Sequence, residues 1–258
     1  MLQLIPISDV NPTRRFGILT VAFIILNLLA FIQEPGFGIG SGATPYFFAN
    51  APIPCQLVGT CPVGEVADGI RIPDVTMLAF LKSVVFSTFL HAGPLHLIGN
   101  MLFLWVFGNN IEDFLGRVKF VAFYLIGGIA ASFAHILWVL MTSADRCTNS
   151  DFAACIPSVG ASGAVAAVMG AYLLLYPRAR VNVLVPIFII WTVIQMSAVT
   201  VLGIWLVMQF LIGSQELSGA TEVAWMAHVG GFVFGLVAIL LLGGRPHRPR
   251  SAWEPGYR

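Results

Sequence analysis

Residues 157–172 read PSVGASGAVAAVMGAY, a run of small and apolar residues in which Ser162 stands between glycines. Small residues let membrane helices approach closely, so this stretch predicts a packed transmembrane helix. A serine framed by Gly160 and Gly163 is also accessible enough to act as a nucleophile. Taken alone, the stretch favours packing, and the rest of the chain must decide between the two interpretations.

The whole chain is also apolar, with 58% hydrophobic and 10% charged residues among 258. Soluble domains carry about 25% charged residues, so the composition indicates a polytopic membrane protein. The net charge of +1, without a basic patch or an aromatic platform, gives no indication of nucleic-acid binding. No small-residue cleavage site follows the first apolar run, which is therefore predicted to remain as an anchor.

The apolar runs predict an all-α polytopic membrane protein with six transmembrane helices, since a span needs roughly 20 apolar residues. Segment 75–90 is short and contains Lys82, which favours an interfacial helix. The run 183–213 is longer than one span and is predicted to contain the fifth helix in its second half, after an interfacial or re-entrant entry. The predicted helices are about 16–32, 94–110, 118–141, 159–176, part of 183–213, and 223–242.

Lysine and arginine are unevenly distributed in this topology, which places both termini in the cytoplasm. The chain then divides into a cytoplasmic segment 1–15, a membrane domain 16–243 and a basic cytoplasmic tail 244–258. The long first external loop, about 33–93, is rich in Pro and Gly and then apolar, so part of it is expected within the membrane. The ten internal cations are Arg14, Arg15, Arg117, Lys119, Arg178, Arg180, Arg245, Arg248, Arg250 and Arg258, against Arg71, Lys82 and Arg146 outside.

All four cysteines fall in the predicted external loops. Cys55 and Cys61 lie in the first loop, and Cys147 and Cys155 lie between the third and fourth helices. An even number on an oxidising face predicts disulfides, and four cysteines allow three connectivities that the sequence does not choose between. No C-x-x-C spacing is present to indicate a metal or redox motif.

Polar side chains inside apolar segments are the strongest indication of function in a membrane protein. At 1.5 Å per helical residue, Ser162 and His228 lie at a similar shallow depth below the external surface. His96 and Asn100 reach the same layer and share one helix face, because they are four residues apart. The convergence of three helices on one layer predicts a functional site.

The chemistry of this layer suits a serine nucleophile with a histidine base. Ser162 begins a helix, where the unpaired N–H groups of Ser162 and Gly163 can stabilise an oxyanion. Each residue also has a structural interpretation: close packing at Ser162, an interhelical hydrogen bond at His228, and helix capping at His96 and Asn100. No carboxylate lies at this depth, so a dyad without an acid is predicted.

Four motifs in this chain together resemble those of the rhomboid family of intramembrane serine proteases. Their combination across six predicted spans is specific, although G-x-S-G alone is common, and the resemblance covers roughly residues 75–243. The motifs are H-x-x-x-N at His96 and Asn100, G-x-x-x-E-x-x-x-G at Gly108, Glu112 and Gly116, G-x-S-G from Gly160 to Gly163, and A-H-x-x-G-x-x-x-G with His228, Gly231 and Gly235.

The resemblance implies a bacterial-type plasma-membrane protease that cleaves transmembrane segments of single-span or polytopic substrates near the outer leaflet. Ser162 would attack and His228 would act as base and then as acid. His96, Asn100 and the backbone of Ser162 and Gly163 would hold the oxyanion. The expected partners are membrane-protein substrates and the lipid bilayer, with no metal, organic cofactor or nucleic acid. The motif residues Gly108, Glu112, Gly116, Gly160, Gly231 and Gly235 are expected to be structural.

Two positions depart from the bacterial pattern. Many members carry a tyrosine that stacks on the histidine ring, where this chain has Ala166, and a Trp-Arg pair where it has Lys82 and Ser83. Neither change removes a reacting group, so an active enzyme is predicted with the orientation of His228 left open. The alternatives are a catalytically inactive rhomboid-like protein that retains membrane clients, and a solute transporter, for which the expected inverted repeats are not seen.

Overall fold

The computed structural model describes residues 5–62, 65–67, 70–142, 153–187, 190–216 and 224–246. The helices are α1 (Ile18–Gln33), α2 (Ala43–Asn50), α3 (Pro54–Val58), α4 (Met77–Ser87), α5 (Pro94–Leu115), α6 (Arg117–Thr142), α7 (Ser162–Leu175), α8 (Ala198–Glu216) and α9 (Trp225–Leu241). The strands are β1 (Ile5–Asp9), β2 (Glu65–Ala67), β3 (Ile70–Arg71), β4 (Arg180–Ile187) and β5 (Ile190–Ser197). The described residues also include two 3₁₀ turns, Pro35–Gly38 and Ala153–Cys155.

Helix α7 lies at the centre of the bundle, in contact with α5, α6, α8 and α9. Residues 163–172 are all buried, which is possible because most of them are small. Ser162, the first residue of α7, therefore lies where the buried part of this central helix begins.

Glycines bring α7 and α9 into backbone contact. A methyl group on Gly231 would overlap the carbonyl oxygen of Gly163, and one on Gly235 would overlap that of Ala167. Such small residues allow two membrane helices to pack at the distance of their backbones. The expected structural role of both glycines is thus a close approach of α9 to α7.

Glu112 caps the start of α1 from the far end of α5. Its carboxylate accepts hydrogen bonds from the N–H groups of Leu19 and Thr20, at 3.1 and 2.8 Å, and from Thr20 Oγ1 at 2.9 Å. These N–H groups have no acceptor within their own helix. Gly108 makes room for the same threonine, because a Cβ there would lie 2.8 Å from Thr20 Cγ2. Gly116 has φ +73° and ends α5 directly before α6 begins.

The all-α prediction is wrong in one respect, because the described residues include two small antiparallel sheets. The larger has the order β1-β4-β5, and the smaller pairs β2 with β3 within the first loop. In β4, Val181, Val183 and Val185 are buried and alternate with more exposed residues. Alternating β-branched residues are typical of a strand with one buried face. The predicted separate segment 1–15 contains β1, which pairs with β4.

The sheet also changes the prediction for 183–213. Its first half contains the antiparallel strands β4 and β5, which the prediction did not include, and α8 begins only at Ala198. The interfacial or re-entrant position of this half stays a prediction. Segment 75–90 contains α4, whose Met77 and Leu78 are exposed. The other predicted spans overlap α1, α5, α6, α7 and α9.

By length and hydropathy alone, one described helix, Arg117–Thr142, is sufficient to cross a membrane, and several shorter apolar helices accompany it. The count of six spans therefore stays a prediction. The outer surface of the bundle carries many large apolar side chains, such as Leu29 on α1, Val207 on α8 and Leu240 on α9. An exposed apolar surface of this extent is typical of a protein that contacts a membrane or another protein.

Within the first loop, a disulfide joins Cys55 to Cys61. Cys155 is also disulfide-bonded. Cys147 lies outside the described residues. The structure thus selects Cys55–Cys61 from the alternatives that the sequence left open.

Candidate active site

A hydrogen bond joins the side chains of Ser162 and His228. Ser162 is the first residue of α7, and His228 lies in the first turn of the adjacent α9. The Ser162 Oγ lies 2.8 Å from the His228 Nε2. The contact between Gly163 and Gly231 lies beside this pair, one residue after Ser162 and three after His228. Helix packing therefore sets the distance between the two functional groups.

Gln209, which the sequence interpretation missed, contacts the other nitrogen of the same ring. It is buried on α8, and its Oε1 lies 2.6 Å from the His228 Nδ1. Its Nε2 donates to the carbonyl oxygen of Trp205 at 3.3 Å, and the Trp205 and His228 ring centroids are 5.8 Å apart. Gln209 and Trp205 thus contact His228, for which Ala166 provides no stacking aromatic ring. A single amide within the apolar run VMQFL was the available signal.

His96 lies against Gly160, two residues before the serine. A Cβ on Gly160 would be 2.9 Å from His96 Nε2 and 3.5 Å from Ser162 Oγ, and the φ of Gly160 is +132°. Glycine is favoured in such a conformation, and it leaves the space between these two atoms open. The His96 Nδ1 accepts a hydrogen bond from the N–H of Ala92 at 3.4 Å. The proton of the neutral ring is then on Nε2, which faces this space.

Two further kinds of donor are available beside this space. Asn100 is buried on α5, one turn after His96, and its Nδ2 has no hydrogen-bond partner among the described residues. The N–H groups of Ser162 and Gly163 lie in the first turn of α7, where a helix supplies no acceptor. Donors of this kind stabilise negative charge that develops on an oxygen during acyl transfer.

A buried carboxylate holds the chain segment that leads to His96. Glu34, directly after α1, accepts a hydrogen bond from the N–H of His91 at 2.9 Å. Burial raises the pKa of Glu34 from 4.5 to about 7, although that hydrogen bond lowers it in part. The His91 side chain is fully buried, and burial lowers its pKa to about 3. The rings of His91 and His96 are 5.3 Å apart between centroids, so Glu34 supports the position of His96 through His91.

Comparison with known proteins identifies a family model and several relatives. The Rhomboid domain model matches residues 80–245. The chain is 31% identical over 154 residues to presenilin-associated rhomboid-like protein A, mitochondrial, of Danio rerio, covering 59% of this chain and 35% of the relative. It is 32% identical over 158 residues to RHOMBOID-like protein 4 of Arabidopsis thaliana, covering 61% and 33%. Rhomboid protein 1, mitochondrial, of Saccharomyces cerevisiae is 33% identical over 99 residues, covering 38% and 26%.

The chain thus matches about a third of the length of the first two relatives, 35% and 33%. The matched Rhomboid domain extends from α4 to just beyond α9. It contains Ser162, His228, His96, Asn100 and Gln209.

Proposed function

Since the chain belongs to the rhomboid family, and is therefore a helical polytopic membrane protein, we propose that it is an intramembrane serine endopeptidase. The observation that carries the proposal is the hydrogen bond of 2.8 Å between Ser162 Oγ and His228 Nε2. A histidine in this position can remove the proton that otherwise makes a serine hydroxyl a weak nucleophile. The proposed substrates are transmembrane segments of single-span or polytopic membrane proteins.

In the acylation half of the reaction, the Ser162 Oγ attacks the scissile carbonyl carbon while its proton moves to His228 Nε2. The carbonyl oxygen gains the negative charge and is stabilised by the N–H groups at the start of α7, with His96 and Asn100 as further donors. When the tetrahedral intermediate collapses, the C–N bond breaks and the imidazolium gives its proton to the leaving amine. The product is an ester between Ser162 and the N-terminal fragment of the substrate.

In the deacylation half, water is the second substrate. His228 Nε2 takes a proton from the water as its oxygen attacks the ester carbonyl. The C–O bond to Ser162 then breaks, the proton returns to the Ser162 oxygen, and a carboxylic acid is released. The same base and the same oxyanion donors serve both halves, so the mechanism requires no cofactor.

The proposed location is the plasma (inner) membrane of a bacterial-type cell, with cytoplasmic termini and the site facing the external or periplasmic side. The distribution of Lys and Arg, ten internal against three external, supports this orientation. The division into segments 1–15, 16–243 and 244–258 belongs to the same proposal. A reporter active only in the cytoplasm, fused after residue 258, would be active in this topology and inactive in the reverse one.

Cleavage of a purified single-span substrate in liposomes tests the activity. We expect Ser162→Ala and His228→Ala each to reduce kcat by at least about 10³-fold, because the nucleophile and its base act as a unit. Ser83→Ala is a matched control, since that hydroxyl donates to the carbonyl oxygen of Phe80 on its own helix. Cleavage by either dyad variant at the wild-type rate would disprove the assignment.

The alternative, an inactive protein that binds membrane clients, gives a different result. It binds the substrate without cleaving it, and Ser162 is not labelled by a fluorophosphonate. The protease covalently binds the probe through Ser162, and Ser162→Ala abolishes the labelling.

A further inference from the structure

We infer that Gln209 is the positioning residue of the dyad, which selects the reactive tautomer of His228 and holds its ring toward Ser162. This inference rests on the proposed protease function, because it concerns the same histidine. It assigns to a neutral amide on a third helix the role that a carboxylate has in a Ser-His-Asp triad.

The hydrogen bonds determine which way the amide of Gln209 faces. The Nε2 of Gln209 donates to the carbonyl oxygen of Trp205, an atom that can only accept. The Oε1 is therefore the atom that lies 2.6 Å from His228 Nδ1, and Oε1 also can only accept. The proton of a neutral His228 must consequently be on Nδ1.

This tautomer is the one that general-base catalysis needs. With the proton on Nδ1, the Nε2 has a free lone pair 2.8 Å from the Ser162 hydroxyl, which donates to it. When the serine proton moves to Nε2, the imidazolium keeps its Nδ1–H bond to the Gln209 oxygen. The other tautomer would present an N–H to Ser162 and could not accept its proton.

The amide also limits rotation of the ring. His228 is held at Nδ1 by Gln209 on α8 and at Nε2 by Ser162 on α7, while its backbone belongs to α9. The Trp205 ring lies beside the imidazole, with a centroid separation of 5.8 Å. The dyad is thus completely oriented only when α8 is packed against α9.

Two isosteric substitutions separate positioning from simple packing. Gln209→Met keeps the length of the side chain and removes the acceptor, whereas Gln209→Glu keeps an acceptor oxygen. A positioned general base contributes about 10²–10⁴-fold, and Met leaves that base in place without orienting it. We expect Gln209→Met to lower kcat about 10- to 100-fold with little change in KM, and Gln209→Glu to stay within about 10-fold of wild type. A purely structural role predicts the reverse order, because a buried site tolerates Met better than Glu.

The assay measures kcat and KM for the single-span substrate, the rate of fluorophosphonate labelling, and the thermal midpoint of each variant. Gln33→Met is the matched control, because the exposed Gln33 also donates to its own helix, at the carbonyl of Leu29, rather than to a site residue. It should keep wild-type kinetics. If Gln209→Met does not fold, Gln209→Asn gives the same test, since it retracts the amide by one methylene.

The possible outcomes distinguish the two proposals. Wild-type kcat and labelling in folded Gln209→Met, or a faster Met than Glu variant, overturns the role of Gln209 and leaves the protease assignment intact. A wild-type protein that behaves like Ser162→Ala overturns the protease assignment and this inference with it.

Discussion

The substitution Gly231→Ala tests whether helix packing sets the catalytic distance. Gly231 lies on α9 against the backbone of Gly163, the residue after the proposed nucleophile. The added methyl group would overlap the Gly163 carbonyl oxygen and lie 3.0 Å from its carbonyl carbon. Nonbonded carbon atoms prefer about 3.5–4.0 Å, so α7 and α9 must separate by about 0.5–1 Å.

This separation of α7 and α9 lengthens the hydrogen bond of the dyad, because Ser162 lies on α7 and His228 on α9. The Ser162–His228 distance of 2.8 Å would grow to roughly 3.3–3.8 Å, beyond the length of a good hydrogen bond. A misplacement of about 1 Å can cost about 10²-fold in rate. We expect Gly231→Ala to lower kcat about 10- to 100-fold, with a smaller effect on KM because substrate binding does not require the dyad bond.

The assay measures initial rates of single-span substrate cleavage in liposomes, with the thermal midpoint recorded for each variant. Gly203→Ala is the control, because a Cβ at that position of α8 meets no atom within 4 Å. It should retain wild-type kinetics, and alanine is favoured over glycine in a helix by about 1 kcal/mol. A folded Gly231→Ala variant with wild-type kcat would refute the reasoning.

Three further predictions concern stability and the first loop. The pKa of Glu34 is raised from 4.5 to about 7 in the folded state, so its contribution to stability is fully present below about pH 4.5 and is lost as the pH rises through about 7. The thermal midpoint of the wild type should fall over that interval, and that of Glu34→Gln should fall less; equal slopes would contradict the prediction. Glu112→Gln should lower the free energy of unfolding by about 1–3 kcal/mol, because the amide turns a donor group toward the N–H groups of α1. Urea unfolding in detergent measures this loss, and unchanged stability would show that the cap is dispensable. Cys55 and Cys61 should react with an alkylating reagent only after reduction, and full alkylation without reductant would exclude the disulfide.

Most of the helical framework was predictable, because membrane helices are marked by continuous apolar runs. The predicted boundaries of α1, α6 and α9 lie within a few residues of Ile18–Gln33, Arg117–Thr142 and Trp225–Leu241. The same signal failed at β4 and β5, where an apolar run and a strand with one buried face look alike. The alternation of Val181, Val183 and Val185 was present, yet only pairing with β1 and β5 makes it a strand.

The candidate site was predictable where motifs and depth agreed, as for Ser162 and His228. The residues that hold these side chains in place were not predictable, because hydrogen bonds between helices depend on the rotation and axial offset of the helices. Gln209 and His228 are 19 residues apart and on different helices, and nothing in their spacing relates one side chain to the other. Likewise, Glu34 reaches the N–H of His91, 57 residues away, across the first loop with its helices α2, α3 and α4.

The sequence by itself determined the family, the helical character and the two residues proposed to react, since these depend on composition and local motifs. The tertiary structure decided the β1-β4-β5 sheet, the Cys55–Cys61 pairing and the partner of His228. Cys55 and Cys61 are only six residues apart, but the sequence alone left three cysteine connectivities open. The sheet and the contact between Gln209 and His228 join segments that are distant in the sequence, so they exist only once the helices and strands have packed together.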